Sequence, residues 1–351
     1  MAGQTAAPQV SAEAVNGVGE APALITVVGV GGGGCNSVIR MMKEKPVPGV
    51  RYVCVNTDIK SLDKARQAGG EIVQIGSRFT HGMGAGGNPD VGNRSAETER
   101  MALKRAIGSS DLVFITAGMG GGTGTGAAPV VAEVAKSTQA LVIGLVTTPF
   151  SFEGSRRLDM AMAGASRLKE KVDNLIIIHN DKLIDMLGKD VSMEEALIRA
   201  DEAVMYGLLS VAELVNVPGE INVDLADVRT IMQLPGLALM AIGEAGSPNG
   251  ALEAAKKAIS NPLLHITIDG AHGILFCVNG GPKLTLGEVN AAGEHIASRV
   301  DQQATIFFGM VNDERMGDKA RVTVIATGIP DSRLPAKVPT AAPAAAAAQN
   351  H

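Results

Sequence analysis

A run of seven residues, Gly120-Gly121-Gly122-Thr123-Gly124-Thr125-Gly126, has the composition of a phosphate-binding loop. It follows the apolar run 112–115 and precedes an apolar, helix-like segment that starts at Ala127. Glycine lacks a Cβ, so several backbone N–H groups can converge on one anion at the positive end of a helix dipole. The hydroxyls of Thr123 and Thr125 add further donors. The loop therefore predicts a ligand with two or more phosphates in line.

No G-x-x-x-x-G-K-[ST] sequence occurs in the chain, so it has no P-loop lysine. Phosphate must then be held mainly by backbone amides and threonine hydroxyls. Pro129 predicts that the following helix has only just begun there, because proline is tolerated in the first turn. The alternative, a flexible glycine linker, is disfavoured by the strand and helix patterns on either side.

Two more glycine-rich segments, 29–34 and 84–89, follow apolar strand-like runs, and the first is followed by a helix predicted from about Asn36 through Met42. The first satisfies G-x-G-x-x-G, with Asp58 roughly where a ribose-binding acid would lie, which by itself favours an NAD-dependent oxidoreductase. A single dinucleotide leaves the loops at 84–89 and 118–126 without a role. Three glycine loops after successive strands favour instead one triphosphate contacted from several sides.

Acidic residues after the long helical pattern are candidates for catalysis. Asp224 and Asp227 lie three residues apart at the start of a predicted helix, so their carboxylates share one face. One interpretation is helix capping by Asn222 and first-turn acids. The other is that these carboxylates orient a water, or help to hold a cation, for in-line attack on a γ-phosphate.

Polar side chains also follow the predicted strands at 141–146 and 175–178. Glu153 and Arg157 come after the first, where either a solvated turn or contacts to ribose and phosphate would suit them. Asn180 comes after the second. Asp201 lies in the long helix, and an acceptor facing the N1 and N2 donors of guanine would discriminate against adenine.

Composition excludes several classes of protein. The net charge of −5, with 3% aromatic residues and no Trp, argues against a nucleic-acid partner. No apolar run is long enough to insert into a membrane, and residues 1–22 lack the basic and apolar regions of a signal peptide, so we expect a cytoplasmic protein. Three cysteines in no zinc-binding spacing predict a reducing compartment and no metal site.

Apolar strands alternate with helices through the first half of the chain, which predicts an α/β fold with a doubly wound, mostly parallel sheet. A long central helix then leads to a smaller α/β domain, with helices predicted at 225–232 and 251–259 and strands at 266–268, 274–278, 306–308 and 322–325. The predicted boundaries are a disordered lead 1–22, a nucleotide-binding domain 23–191, the central helix 192–217, the smaller domain 218–329 and a disordered Ala/Pro-rich tail 330–351.

From about residue 23 to residue 329 the chain resembles the FtsZ family, the tubulin-like GTPases of bacterial cell division. The resemblance rests on the 120–126 loop and on segments whose order and spacing all fit: Val28-Gly29-Val30-Gly31-Gly32-Gly33-Gly34-Cys35-Asn36, Val55-Asn56-Thr57-Asp58, Gly84-Ala85-Gly86-Gly87-Asn88-Pro89, Pro149-Phe150-Ser151-Phe152-Glu153-Gly154, Asn180-Asp181-Lys182-Leu183, Asn222-Val223-Asp224-Leu225-Ala226-Asp227-Val228 and Val322-Thr323-Val324-Ile325-Ala326-Thr327-Gly328.

The resemblance implies GTP and GDP binding with Mg²⁺ as a cofactor. It implies phosphate contacts from two loops, ribose and phosphate contacts from Glu153 and Arg157, and guanine contacts from Asn180 and Asp201. The residues of the two loops are Gly31, Gly32, Gly33, Gly34, Cys35, Asn36, Gly118, Gly120, Gly121, Gly122, Thr123, Gly124 and Thr125. It also makes Asn222, Asp224 and Asp227 a catalytic loop that completes the site of the next subunit in a head-to-tail filament.

Some positions depart from the family pattern. Cys35 stands where a small residue is usual, which implies thiol-sensitive phosphate binding; Leu197 replaces an aromatic residue against guanine, and Leu225 replaces a Phe. The tail lacks the peptide that recruits FtsA-like membrane tethers, which puts that partnership in doubt. We expect a self-polymerising GTPase at the mid-cell division site. The alternative is a non-hydrolysing or auxiliary paralogue that acts as a regulatory module.

Overall fold

The computed structural model describes residues 23–181, 192–216, 223–246, 249–260 and 267–330. In its first half, strands and helices alternate: β1 (Ile25–Val30), α1 (Gly31–Glu44), β2 (Val50–Asn56), α2 (Ile59–Gln67), β3 (Glu71–Gln74), α3 (Ser77–Thr80), α4 (Pro89–Thr98), α5 (Arg100–Ile107), β4 (Leu112–Gly118), α6 (Gly122–Lys136), β5 (Leu141–Thr148), α7 (Ser155–Lys169) and β6 (Asn174–His179). The second half contains α8 (Met193–Asn216), α9 (Leu225–Met232), β7 (Leu237–Gly246), α10 (Gly250–Ile259), β8 (Gly273–Gly280), α11 (Leu286–Ala297), β9 (Thr305–Asn312) and β10 (Lys319–Ile329).

The described strands form one sheet in the order β3-β2-β1-β4-β5-β6-β7-β10-β8-β9. Strands β1 to β6 are all parallel, and β1 and β4 are buried along almost their whole length. Burial on both faces is what near-continuous runs of Val, Ile and Leu predict for a parallel sheet with helices on either side. The predicted doubly wound, mostly parallel sheet is therefore confirmed.

The second half extends the same sheet with mixed pairing. Strand β10 pairs antiparallel with both β7 and β8, whereas β8 and β9 are parallel. The two halves are joined where Ile176 of β6 pairs with Ala238 of β7. Strand β7 was not predicted from the sequence, because its Leu, Ala and Met residues favour helix as much as strand. The predicted strand at 266–268 is wrong, since Thr267 and Ile268 are irregular.

Helix α8 packs against α1 on one face of the sheet and contacts both halves of it. It is almost fully buried from Val204 to Leu214. A Cβ on Gly207 would lie 2.2 Å from Met240 Sδ of β7 and 3.0 Å from Leu145 Cδ2 of β5. The predicted central helix thus lies across the junction of the two halves of the sheet and packs against strands of both. Among the described helices, none is both long and apolar enough to cross a bilayer.

Two helix boundaries differ from those expected. Helix α1 begins at Gly31, inside the glycine run, and not at Asn36. Helix α6 likewise begins at Gly122, so Pro129 lies in the helix interior and the expectation that it occupies the first turn is wrong. In both cases the glycine-rich segment itself forms the first turn. Proline removes one N–H donor from α6, which costs the Thr125 carbonyl its usual intrahelical partner.

Candidate functional site

A cavity of about 450 Å³ lies where β1, β4, β5 and β6 end and α1 and α6 begin. Carboxyl ends of parallel strands form ligand sites because the loops leaving them spread apart there. The cavity is lined by residues from all three glycine segments and from α8. The predicted site residues among them are Gly32, Gly33, Asn36, Gly118, Gly121, Gly122, Thr123, Gly124, Glu153, Arg157, Asn180 and Asp201.

Some of the glycines allow the loops to pack, and others leave open space. Gly31 has φ +73°, and a Cβ there would lie 2.7 Å from Gly124 N. A Cβ on Gly34 would lie 2.2 Å from Thr116 O. By contrast, a Cβ on Gly32 or Gly121 would meet nothing within 4 Å. Gly31 and Gly34 therefore hold the two loops together, while Gly32 and Gly121 border the cavity.

The first turns of α1 and α6 meet at this cavity without side-chain caps. Neither Val30 nor Gly121, the residues that precede the two helices, accepts a hydrogen bond through its side chain. The leading N–H groups of a helix lack intrahelical partners and carry partial positive charge. Two uncapped helix N-termini beside one cavity form an anion site with room for a polyphosphate.

The two threonines of the 120–126 loop, Thr123 and Thr125, have different roles. Thr123 lines the cavity, and its hydroxyl lies 2.7 Å from that of Thr57. Thr125 is fully buried, and its Oγ1 accepts a hydrogen bond of 2.9 Å from Gly120 N. Gly120 has φ +91° and lies against the Arg157 carbonyl. The structure thus places Gly120 and Thr125 behind the cavity wall, where they fix the shape of the loop.

Cys35 does not reach the cavity with its side chain. Its Sγ is buried and donates to Gly29 O at 3.5 Å or Val55 O at 3.7 Å. A hydrogen bond with Cys54, together with burial, raises the pKa of the Cys35 thiol well above its ordinary value. The expectation of a thiol beside the phosphates is therefore wrong. Because α1 begins at Gly31, Cys35 falls on the helix face that packs on the sheet.

Glu153 and Arg157 form one wall of the cavity. Their side chains make an ion pair of 2.6 Å, and Glu153 Oε1 also accepts a hydrogen bond of 2.9 Å from Phe150 N. Arg157 Nε donates to Gly120 O at 3.4 Å. The structure therefore holds an acceptor and a cation beside the glycine loop, as contacts to a sugar and a phosphate would require.

At the other end of the cavity, Asn180 and Asp201 face the same space. Asn180 is 7% exposed, and its Oδ1 has no hydrogen-bond partner among the described residues. Asp201 Oδ1 accepts a hydrogen bond of 2.8 Å from the Ser37 hydroxyl. Burial raises the pKa of Asp201, and the bond from Ser37 opposes that rise. Leu197 lies at the same end and is 48% exposed.

Several lining residues were not predicted as nucleotide contacts. They come from α1, the end of β2, the first turn of α2 and the end of β5: Ser37, Asn56, Ser61, Thr147 and Thr148. The segment 56–58 follows a parallel strand next to β1, which is a signal that could have identified it. Asp58, considered above as a ribose acid, accepts from Lys60 N and so caps α2.

Asp224 and Asp227 do not line this cavity. Asp224 is exposed and accepts a hydrogen bond of 3.1 Å from Ala226 N, so Asp224 itself caps the helix, a place that the capping interpretation gave to Asn222. Val223 N donates to Leu214 O near the end of α8. At about 1.5 Å per residue, Leu214 lies about 20 Å along α8 from Asp201. Asn222, the third predicted catalytic residue, lies outside the described residues.

The donor set fits a nucleotide with several phosphates. Backbone N–H groups, Thr123 and Arg157 suit the phosphates, while Asn180 and Asp201 suit a base that carries N–H donors. In the described part of the chain, no group of three or more His, Cys, Asp or Glu residues could hold a metal ion. A Mg²⁺ ion here would need phosphate oxygens and water as most of its ligands, which is the usual arrangement for this ion.

The chain was compared with protein-family models and with solved structures. The model of the tubulin/FtsZ family GTPase domain matches residues 24–188, and that of the FtsZ family C-terminal domain matches residues 236–330. An empty FtsZ dimer from M. jannaschii is similar at 42% identity and a TM-score of 0.84, covering 88% of this chain and 89% of that one.

More distant structures share the fold. A GDP-bound CetZ1 monomer from Haloferax volcanii has 22% identity and a TM-score of 0.74, and a GTPγS-bound CetZ2 protofilament from the same organism has 22% identity and a TM-score of 0.73. Each covers 88% of this chain and 94% of its own. The GTPase-domain match decides between the two interpretations of the 29–34 loop in favour of the triphosphate.

Proposed function

The chain belongs to the tubulin/FtsZ family, and from this premise we propose that it binds and hydrolyses GTP in head-to-tail filaments whose active sites are shared between neighbouring copies. The solved relatives support self-association and nucleotide binding, since they include an FtsZ dimer, a GTPγS-bound protofilament and a GDP-bound monomer. We propose further that the filaments act in the cytoplasm at the division site.

The phosphates of GTP would bind at the uncapped first turns of α1 and α6, beside Gly32, Gly121 and Thr123. Glu153 and Arg157 would contact the ribose and the phosphates. Guanine would then lie between Asn180 and Asp201, whose acceptors match its N1 and N2 donors. When bound through the phosphates, Mg²⁺ would neutralise charge that develops during γ-phosphoryl transfer.

The proposal of a shared site rests on one observation, which is that the cavity and the acidic pair lie beside different parts of α8. Asp201 lines the cavity, whereas Val223, next to Asp224, is bonded to Leu214 about 20 Å further along the helix. A carboxylate at that distance cannot position a water for attack on phosphate in its own cavity. In a head-to-tail stack the acids of one copy would face the cavity of the next. Such a heterologous contact propagates into a filament.

At this junction the cavity would hold the nucleotide in line, and Asp224 and Asp227 of the neighbour would orient the attacking water and accept its proton. Both residues are accessible for that role, since Asp224 is exposed and Asp227 is half-buried. Asp224 is the N-cap of α9 and Asp227 lies in its first turn, which fixes their spacing. Phosphoryl transfer depends mostly on positioning and charge neutralisation, so two fixed carboxylates at an interface suffice for the protein's part.

The test is the Asp224→Asn variant, because asparagine caps a helix as well as aspartate does but carries no charge. We expect this variant to bind GTP with an affinity within about twofold of that of the wild-type protein, and to release phosphate at least about 100-fold more slowly. Asp301→Asn is the matched control, since Asp301 Oδ1 also accepts from a backbone N–H two residues on, that of Gln303. In the original protein the specific rate of phosphate release should rise with protein concentration together with sedimentable polymer.

A specific rate that does not change on dilution would contradict the shared site. So would normal turnover by Asp224→Asn, because the cap would then be its only role. GTP binding without release or sedimentation at any concentration would instead identify the non-hydrolysing regulatory module. Localisation has its own test, in which a fluorescent fusion should form a band at mid-cell.

A further inference from the structure

Ser37 connects the phosphate end of the cavity with its base end. It lies in α1, one turn beyond Gly33, and is 3% exposed. Its Oγ is 2.8 Å from Asp201 Oδ1 and 3.3 Å from Gly33 O. The bond to Asp201 spans 164 positions of sequence and joins α1 to α8.

A serine hydroxyl has one proton, so it can donate fully to only one of these two acceptors. Asp201 is the better acceptor, because its oxygen is closer and carries negative charge. Donation to Oδ1 fixes the rotation of the carboxylate about its χ2 bond, which is otherwise broad. Oδ2 and the second lone pair of Oδ1 are then left to accept hydrogen bonds from a ligand in the cavity.

We propose that Ser37 is a positioning residue for purine selectivity, which holds the Asp201 carboxylate so that it accepts from N1–H and N2–H of guanine together. This rests on the proposed binding of GTP in the cavity. A carboxylate free to rotate would lose part of the preference for guanine over hypoxanthine, which lacks the N2 amino group. Ser37 itself need not touch the base.

The charged groups around Asp201 give the proposal a second consequence. Arg40 faces Asp201 from α1, while Glu44 of α1 and Glu202 of α8 oppose its ionisation. Burial raises the pKa of Asp201, and the Ser37 bond and Arg40 lower it. Loss of the hydroxyl therefore raises this pKa further. A protonated Asp201 presents an O–H and cannot accept from both guanine donors. As the pH is lowered, the affinity for guanine should therefore begin to fall at a higher pH in a Ser37 variant than in the unchanged protein.

The experiment measures GDP and IDP affinity for Ser37→Ala by calorimetry at low protein concentration, from about pH 5.5 to pH 8. We expect GDP affinity to fall about tenfold at neutral pH, with a much smaller loss for IDP, so that the GDP/IDP ratio shrinks. The pH at which GDP binding weakens should move upward. Ser37→Cys, with a weaker donor of similar size, should lie between the two and provides a second variant if Ser37→Ala is unstable.

Ser210→Ala is the matched control, because Ser210 is 5% exposed in α8 and its hydroxyl donates a hydrogen bond to Tyr206 O within the same helix. This variant should keep the original ratio and pH profile. Equal losses of GDP and IDP affinity in Ser37→Ala, with an unmoved pH profile, would overturn the positioning role and leave only a structural one.

A separate variant distinguishes failure of this inference from failure of the proposed function. Asp201→Asn replaces an acceptor by an amide that can donate to O2 of xanthine, so it should bind GDP weakly and XDP better than the original protein does. Unchanged GDP binding by Asp201→Asn would refute the placement of guanine itself. Loss of GDP binding there, combined with an unaffected Ser37→Ala, would refute only the role of Ser37.

Discussion

A buried charge network joins the two halves of the molecule at the far end of α8, and we expect it to contribute strongly to stability. Glu213 is 6% exposed, and its Oε1 lies 3.0 Å from Lys45 Nζ at the end of α1. Its Oε2 accepts a hydrogen bond of 3.1 Å from Asn279 Nδ2 of β8. Lys45 Nζ also lies 3.3 Å from Asp313 Oδ2, after β9. One carboxylate therefore contacts an element of each half.

The substitution Glu213→Gln removes the charge but keeps an oxygen that can accept from Asn279. Removal of one partner from a fully buried ion pair costs about 3–5 kcal/mol, mostly because the other charge stays buried and unpaired. Here Lys45 retains Asp313, and its side chain is 18% exposed. We therefore expect the free energy of unfolding to fall by about 2 kcal/mol.

Urea unfolding followed by circular dichroism measures this loss, and Lys45→Met completes a double-mutant cycle. Glu195→Gln is the control on the same helix, because its side chain is 51% exposed and lies 3.8 Å from Arg199. That change should cost less than about 0.5 kcal/mol. If the losses from Glu213→Gln and Lys45→Met simply add in the double variant, the two charges are not coupled and the reasoning is refuted.

Two further predictions concern the glycines of the first loop and the buried cysteines. Gly34→Ala puts a Cβ 2.2 Å from Thr116 O and should destabilise the fold by about 3 kcal/mol. In Gly32→Ala the new Cβ meets nothing within 4 Å, so this variant should fold normally but bind GTP at least about tenfold more weakly. Equal melting temperatures for the two variants would contradict this. Cys35, Cys54 and Cys277 are all buried, so none should react quickly with a thiol reagent unless urea is added. A fast-reacting thiol that blocks GTP binding would restore the rejected role of Cys35.

The glycine loops could be predicted from the sequence because strand, glycine run and helix are each a local pattern. The sequence could not show which of these glycines face the cavity, since Gly31, Gly32 and Gly34 are chemically identical. Their roles depend on Thr116 and Gly124, which reach them only through the pairing of β1 with β4. The wrong helix start had a further effect, because a helix beginning at Asn36 would have left Cys35 in the loop.

Long-range contacts explain most of what remained unpredicted. Ser37 has no motif of its own, and its importance comes from a partner 164 residues away. Strand β7 has an ambiguous local pattern and is fixed by its pairing with β10. Asp224 was a different case, because a cap and a catalytic acid require the same residue type at the same helix position. The bond to Ala226 N establishes the cap without bearing on catalysis.

Two polar contacts tie α8 to α1. Near the cavity, Ser37 of α1 is bonded to Asp201 of α8; at the far end, Lys45 is paired with Glu213. At about 1.5 Å per residue, the first pair of positions is about 12 Å from the second along α1 and about 18 Å along α8. The second contact joins two long side chains, since Lys45 Nζ lies 3.0 Å from Glu213 Oε1.

Since α1 and α8 are fastened at two points, neither helix can slide along the other while both bonds persist. A change at the base end of the cavity would therefore reach the far end of α8 only through movement of both helices together. The two contacts share no residue and lie about 18 Å apart along α8, so the effects of removing them should add. Ser37→Ala should accordingly alter base selectivity with the Lys45–Glu213 pair intact, and Glu213→Gln should lower stability while the GDP/IDP ratio stays unchanged.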